Sequence, residues 1–175
     1  DLAKLDCLPA DAFDLIAAHM LINVVPPVKL FSILKELTRV ARGGAMLVLI
    51  DYNPLSSYQT RRSHLVEDLF RLENAIHYLV EGEPALVWYP SDYVIDLLGC
   101  LGWLEEETKL IYSKTPWDKE LLKEHLDEIG EMCRRFRQRD IGERLLQRAV
   151  GIVNQVGEGE VIYAGTIYDI RMRKK

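Results

Sequence analysis

Cysteine is scarce in this chain. Cys7, Cys100 and Cys133 are odd in number and form no CxxC pair, and His19, His64, His77 and His125 are dispersed. A disulfide framework or a zinc site is therefore not expected, no metal ligand is assigned, and a reducing, cytoplasmic setting fits best. No uninterrupted apolar run approaches the roughly 20 residues that a membrane-crossing helix needs. Positive charge is not in excess: 22 Lys+Arg against 27 Asp+Glu leave a net charge of −5. Such a balance argues against nonspecific nucleic-acid binding. Internal repeats, low-complexity tracts and flexible linkers are absent too. What remains is an ordinary globular composition, 49% hydrophobic and 28% charged over 175 residues, enough for one domain with a sizeable core.

Short apolar runs and helical stripes alternate along the chain. Phe13–Ala18 reads as a buried strand. Pro26-Pro27 opens a helix whose Leu30, Phe31, Leu34, Leu37 and Ala41 face a core, and Gly43-Gly44 is expected to close it. Ala45–Ile50 is a second strand, apolar enough to be covered on both faces. Strand, helix, strand at this length makes a right-handed βαβ unit, and Asp51-Tyr52-Asn53 would stand where open α/β sheets place their ligands. A long helix is expected over about Tyr58–Val80, with Leu65, Leu69, Leu72, Ile76 and Leu79 as its stripe. Ser91 is placed to cap a shorter helix that Gly102 ends. Thr115-Pro116-Trp117-Asp118 reads as another helix start, and a further helix runs from Ile141 to about Asn154. Glu107–Ser113 and Val161–Arg173 are the remaining strands, the latter with a basic, frayed tail.

The order of these signals resembles a known family. Leu8-Pro9, Phe13-Asp14-Leu15-Ile16, His19-Met20-Leu21, then Leu34-x-Glu36-Leu37-x-Arg39-Val40-x-x-Gly43-Gly44 and the apolar strand are similar to the later half of a class I S-adenosylmethionine-dependent methyltransferase. Leu101-Gly102-Trp103 before a strand, and Tyr163–Lys174 at the end, fit the family's sixth and seventh strands. The resemblance implies an α/β fold: a partial Rossmann-like sheet in the order fourth, fifth, seventh, sixth strand, with the last strand antiparallel. The chain would be a single domain over 1–175, with helical insertions near 55–90 and 115–156. The family's glycine-rich loop and its ribose-binding acidic residue have no counterpart in this sequence; Gly157-Glu158-Gly159 precedes a strand instead of following one.

From the resemblance come S-adenosyl-L-methionine as cofactor and a small-molecule methyl acceptor, with no nucleic acid and no membrane. It puts Asp1 and Leu2 against the adenine, although Asp6 competes with Asp1, and Ala18, His19 and Met20 beneath the cofactor. Asp51, Tyr52, Asn53 and Tyr89 would meet the substrate; loop packing is the plain alternative for each of them. No catalytic residue is assigned, because displacement at a sulfonium methyl needs alignment more than acid–base help. Without the glycine loop, this chain alone is expected to be inactive and to self-associate or require a complementary N-terminal segment. The competing reading is a noncatalytic α/β binding or scaffold module that pairs with another chain.

Overall fold

The computed structural model describes residues 7–54 and 62–175. It divides into two compact units. The first comprises Asp1–Pro54, Val87–Ile111 and Thr166–Lys175; the second comprises Leu55–Leu86 and Tyr112–Gly165. No helix among the described residues is long and apolar enough to cross a membrane.

In the first unit β1 (Phe13–His19), β2 (Ala41–Tyr52), β3 (Trp103–Tyr112) and β6 (Thr166–Lys174) form a sheet in the order β1-β2-β6-β3. β1 lies parallel to β2, with Leu15 opposite Met46 and His19 opposite Ile50. β6 is antiparallel to β2, pairing Leu47 with Met172, Leu49 with Ile170 and Asp51 with Tyr168. This is the expected order, with the last strand inserted between two others. One face of the sheet is covered by α1 (Pro27–Val40) and α3 (Ser91–Cys100). Leu30, Ile33, Leu34, Leu37, Val94 and Leu98 pack there against Leu47, Leu49, Tyr168 and Ile170. Each such aliphatic side chain contributes about 1.5–3 kcal/mol by leaving water. Phe31, assigned to the buried stripe of α1, is instead 48% exposed, and Ile33 takes its place. Along β1, Phe13, Leu15, Ala17 and His19 are exposed, while Ala18 is buried.

The glycine pair does not close α1. That helix ends at Val40, and Ala41 is already extended. Lys174 supplies the stop: its Nζ donates to the carbonyls of Thr38, at 3.0 Å, and Ala41, at 2.7 Å. A cation there satisfies orphaned carbonyls and complements the helix dipole, so the basic tail is ordered rather than frayed. Gly43 and Gly44 lie inside β2, where the register to β1 slips between Phe13 and Leu15, and Gly44 takes φ 79°. The slip needs a left-handed residue, and glycine takes that conformation without a Cβ clash.

The second unit holds α2 (Ser63–Glu81), α4 (Lys119–Arg134), α5 (Arg139–Val153) and the two-stranded pair β4 (Pro116–Asp118) and β5 (Val161–Tyr163). The start of the expected Tyr58–Val80 helix lies outside the described residues; Leu65, Leu69, Leu72 and Ile76 are buried, whereas Leu79 is exposed. Pro116-Trp117-Asp118 is strand, not first helical turn. Asp118 is the N-cap of α4, its side chain accepting from the Leu121 amide at 2.9 Å. Ser91 likewise opens α3 without a side-chain cap. The long final strand is two strands. Ala164-Gly165, with Gly165 at φ 87°, separates β5 in one sheet from β6 in the other.

Candidate functional site

Because β1 and β2 run parallel, both end on the same side of the sheet. Beyond His19 the chain turns through Met20, whose amide donates to the Ile50 carbonyl at 2.9 Å. Met20 has φ 49°, a left-handed conformation that costs a residue with a Cβ roughly 1–2 kcal/mol. A 3-10 turn, Ile22–Val24, follows and leads into α1.

Asp51 secures that turn. It is 1% exposed. Its Oδ2 accepts from the amides of Ile22 at 2.8 Å and Asn23 at 3.3 Å, and its Oδ1 accepts from Tyr52 N at 2.8 Å. Burial pushes the carboxyl above its usual range, while these amide bonds pull the other way. The expected substrate contact is thus a buried carboxylate whose oxygens are taken up by backbone. Asn53, half-buried, is similarly occupied: its amide donates to Thr166 O at 2.9 Å, and its Oδ1 accepts from Ser91 N at 3.3 Å. Tyr89 is buried too. Its hydroxyl donates to the Val25 carbonyl at 2.6 Å, its ring stacks on Tyr93 with centroids 6.2 Å apart, and burial raises its pKa to about 12. The neighbouring Val87 amide donates to Asn23 O at 2.7 Å.

Ala18, His19, Met20, Asp51, Tyr52, Asn53 and Tyr89 are therefore brought to one end of the sheet by the same turn. Among these, His19 is the exposed side chain and Met20, Tyr52 and Asn53 are partly exposed. Asp1 and Leu2, the adenine pair implied by the resemblance, lie outside the described residues, as does Asp6.

Two groups here were not singled out for the site from sequence. Tyr168, opposite Asp51, is fully buried with its hydroxyl lacking a hydrogen-bond partner, and Asn23 Oδ1 is in the same state. Burial, reinforced by the Asp51 charge, drives the Tyr168 phenol upward. Nothing in the sequence marks Tyr168 apart from Tyr163; only the break at Ala164-Gly165 decides which of them reaches this sheet.

The comparisons bear on the fold. No family model and no curated protein sequence matches this chain. Among solved structures, a protein from Bacillus halodurans C-125 described as a candidate methyltransferase superposes with TM-score 0.56 at 16% identity, covering 99% of this chain and 69% of its own. A SAM-dependent methyltransferase from Methanosarcina mazei gives 0.55 at 12% identity, over 99% and 64% of the two chains. The [4+2]-cyclase SpnF gives 0.52 at 15% identity, over 99% and 53%. The chain thus spans between about half and just over two thirds of the proteins it resembles. The fold is that of the class I S-adenosylmethionine-dependent methyltransferases. That one neighbour is named a cyclase is a reminder that this fold hosts more than one chemistry.

The fit to S-adenosylmethionine is partial. Backbone and His19 at the end of β1 offer a surface for it, and the outer edge of β1 is without a strand among the described residues. Asp51, however, spends its oxygens on backbone amides and has none left for a ribose.

Proposed function

We propose that this chain is the later half of an S-adenosylmethionine-dependent methyltransferase acting on a small molecule. Its part is to supply the wall formed by the ends of β1 and β2. One observation carries the reading: the β1-β2-β6-β3 sheet with antiparallel β6, which brings Ala18–Met20 and Tyr52–Asn53 to a common rim. The strained Met20 supports it, since residues held in costly backbone conformations cluster at ligand sites. The cofactor supplies an electrophilic methyl on a sulfonium. What this wall does is orient: His19 presents an imidazole at the rim, while Asp51 and Tyr89 hold the turn beneath it in one conformation. The edge of β1, with Leu15 59% exposed beside it, is where the remaining strands of such a fold would pair.

Several hydrogen bonds to a charged ligand, at about 1.5–3 kcal/mol each, are missing from this wall alone, so binding should be weak and turnover nil. The test is amide chemical-shift mapping of the ¹⁵N-labelled chain with S-adenosylhomocysteine. The expected result is shifts at Ala18–Met20 and Tyr52–Asn53 that saturate only well above micromolar ligand. Micromolar saturation overturns the partial-site reading. Silence at those amides up to millimolar ligand overturns the cofactor wall and favours the noncatalytic module, for which the fully engaged Asp51 is the supporting observation.

A further inference from the structure

The second unit carries a group of side chains that the methyl-transfer reading does not use. Glu73 sits on α2, and His125 and Glu128 sit one helical turn apart on α4. One ligand-type atom from each lies within 4.8 Å of the other two. The Glu73 side chain is 5% exposed and that of His125 23%, while Glu128 faces solvent. Sequence spacing gave no sign of this site, because Glu73 comes from a different segment of the chain.

Two observations distinguish it from an ordinary acidic cluster. First, His125 Nδ1 and Glu73 Oε2 approach to 3.2 Å as an ion pair, which holds the imidazole above its usual pKa, yet neither buried atom completes a hydrogen bond of good geometry. A protonated imidazole paired with a carboxylate would aim its N–H along that line. Two donors held about 2.1 Å from one ion, at the angle of a roughly tetrahedral shell, lie about 3.2–3.4 Å apart, which is the separation found. Second, the imidazole is held in place by rings. Phe70 meets it edge-on with centroids 4.9 Å apart, and Trp117 lies 5.7 Å away.

We propose that Glu73, His125 and Glu128 bind a divalent first-row transition ion that ties α2 to α4. One imidazole nitrogen with two carboxylates suits zinc, manganese or iron(II). An all-oxygen set would be needed to favour calcium or magnesium. Three protein ligands leave one position for water. The site lies wholly within the second unit and does not depend on the proposed methyl transfer.

The test uses the full chain, stripped with chelator and titrated with zinc chloride in a calorimeter. One equivalent should bind. At zinc a hundredfold above its dissociation constant the thermal midpoint of the chain should rise by roughly 5–10 °C. Glu128→Ala, at an exposed position that threatens no fold, should weaken zinc by more than the 10–100-fold lost when a group merely supporting a ligand is removed. His125→Gln should abolish binding. Cobalt(II) should give a visible spectrum without a thiolate charge-transfer band. Absence of binding by zinc, manganese and iron(II) alike overturns the proposal. So does binding unchanged in Glu128→Ala and His125→Gln, or a thiolate band, which would put the ion on a cysteine.

Discussion

Replacing Asp51 by alanine should disorder the turn between β1 and α1. In the native fold the Ile22 and Asn23 amides both donate to Asp51 Oδ2, and these two residues are 0% and 7% exposed. Water cannot reach them to take over. Each orphaned amide costs about 1–3 kcal/mol, so the pair costs about 2–6. Removing a carboxylate that burial disfavours returns part of that. A net loss of about 3 kcal/mol is expected, which is a little over a hundredfold in the local opening equilibrium. Hydrogen exchange at Ile22 and Asn23 reads it directly, free of whatever the second unit does. Asp51→Asn keeps one carbonyl oxygen and should lose about half as much. The sign of the pH effect follows from the direction of the shift. The Asp51 pKa is raised in the fold above its ordinary 3.8. Its contribution is therefore fully present below that value and declines as pH rises through the raised value. The gap between wild type and Asp51→Asn should narrow over the same window. Protection factors at Ile22 and Asn23 unchanged in Asp51→Ala would refute the account of the turn.

Other outcomes follow from single residues. Gly44→Ala should cost about 1–2 kcal/mol, because φ 79° is strained for any side chain although nothing lies within 4 Å of the added Cβ. Gly99→Ala, in open space on α3, should instead gain up to about 1 kcal/mol; urea denaturation of both variants compares the signs. Gly142→Ala would place a Cβ 2.4 Å from the Cys133 carbonyl oxygen, so α4 and α5 must separate, and a loss of about 3 kcal/mol should appear as a lowered thermal midpoint. Ultraviolet titration should find one tyrosine ionising near 12 that Tyr89→Phe removes. The stability that phenol contributes is present below pH 10 and is lost as pH rises through 12.

The chain's own pattern was enough to place strand, helix and strand from Phe13 to Ile50, because a continuous apolar run between turn residues leaves few alternatives to a covered strand. The sheet order followed from the motif series and not from hydropathy, which says nothing about which strands are neighbours. Sequence also put Ala18–Met20 and Asp51–Asn53 at one end, since parallel strands share their direction. It could not say that Asp51 faces inward. Residues in a strand alternate faces, and Asp51 falls on the covered face with Leu47 and Leu49 only because β2 extends unbroken to Tyr52. Gly43-Gly44 looked like a helix stop, a role that Lys174 takes from the other end of the chain. A run as uniform as Val161–Arg173 conceals its break, because both halves are strands and only their partners differ. Glu73 and His125 show the same limit. Local periodicity reports which face of its own helix a residue occupies, and the packing of α2 against α4 decides which faces meet. Sequence by itself thus determined the elements and the direction in which they run. Tertiary structure alone decided which polar groups were sealed away from water and paired across the chain, because that depends on contacts between segments that no local pattern encodes.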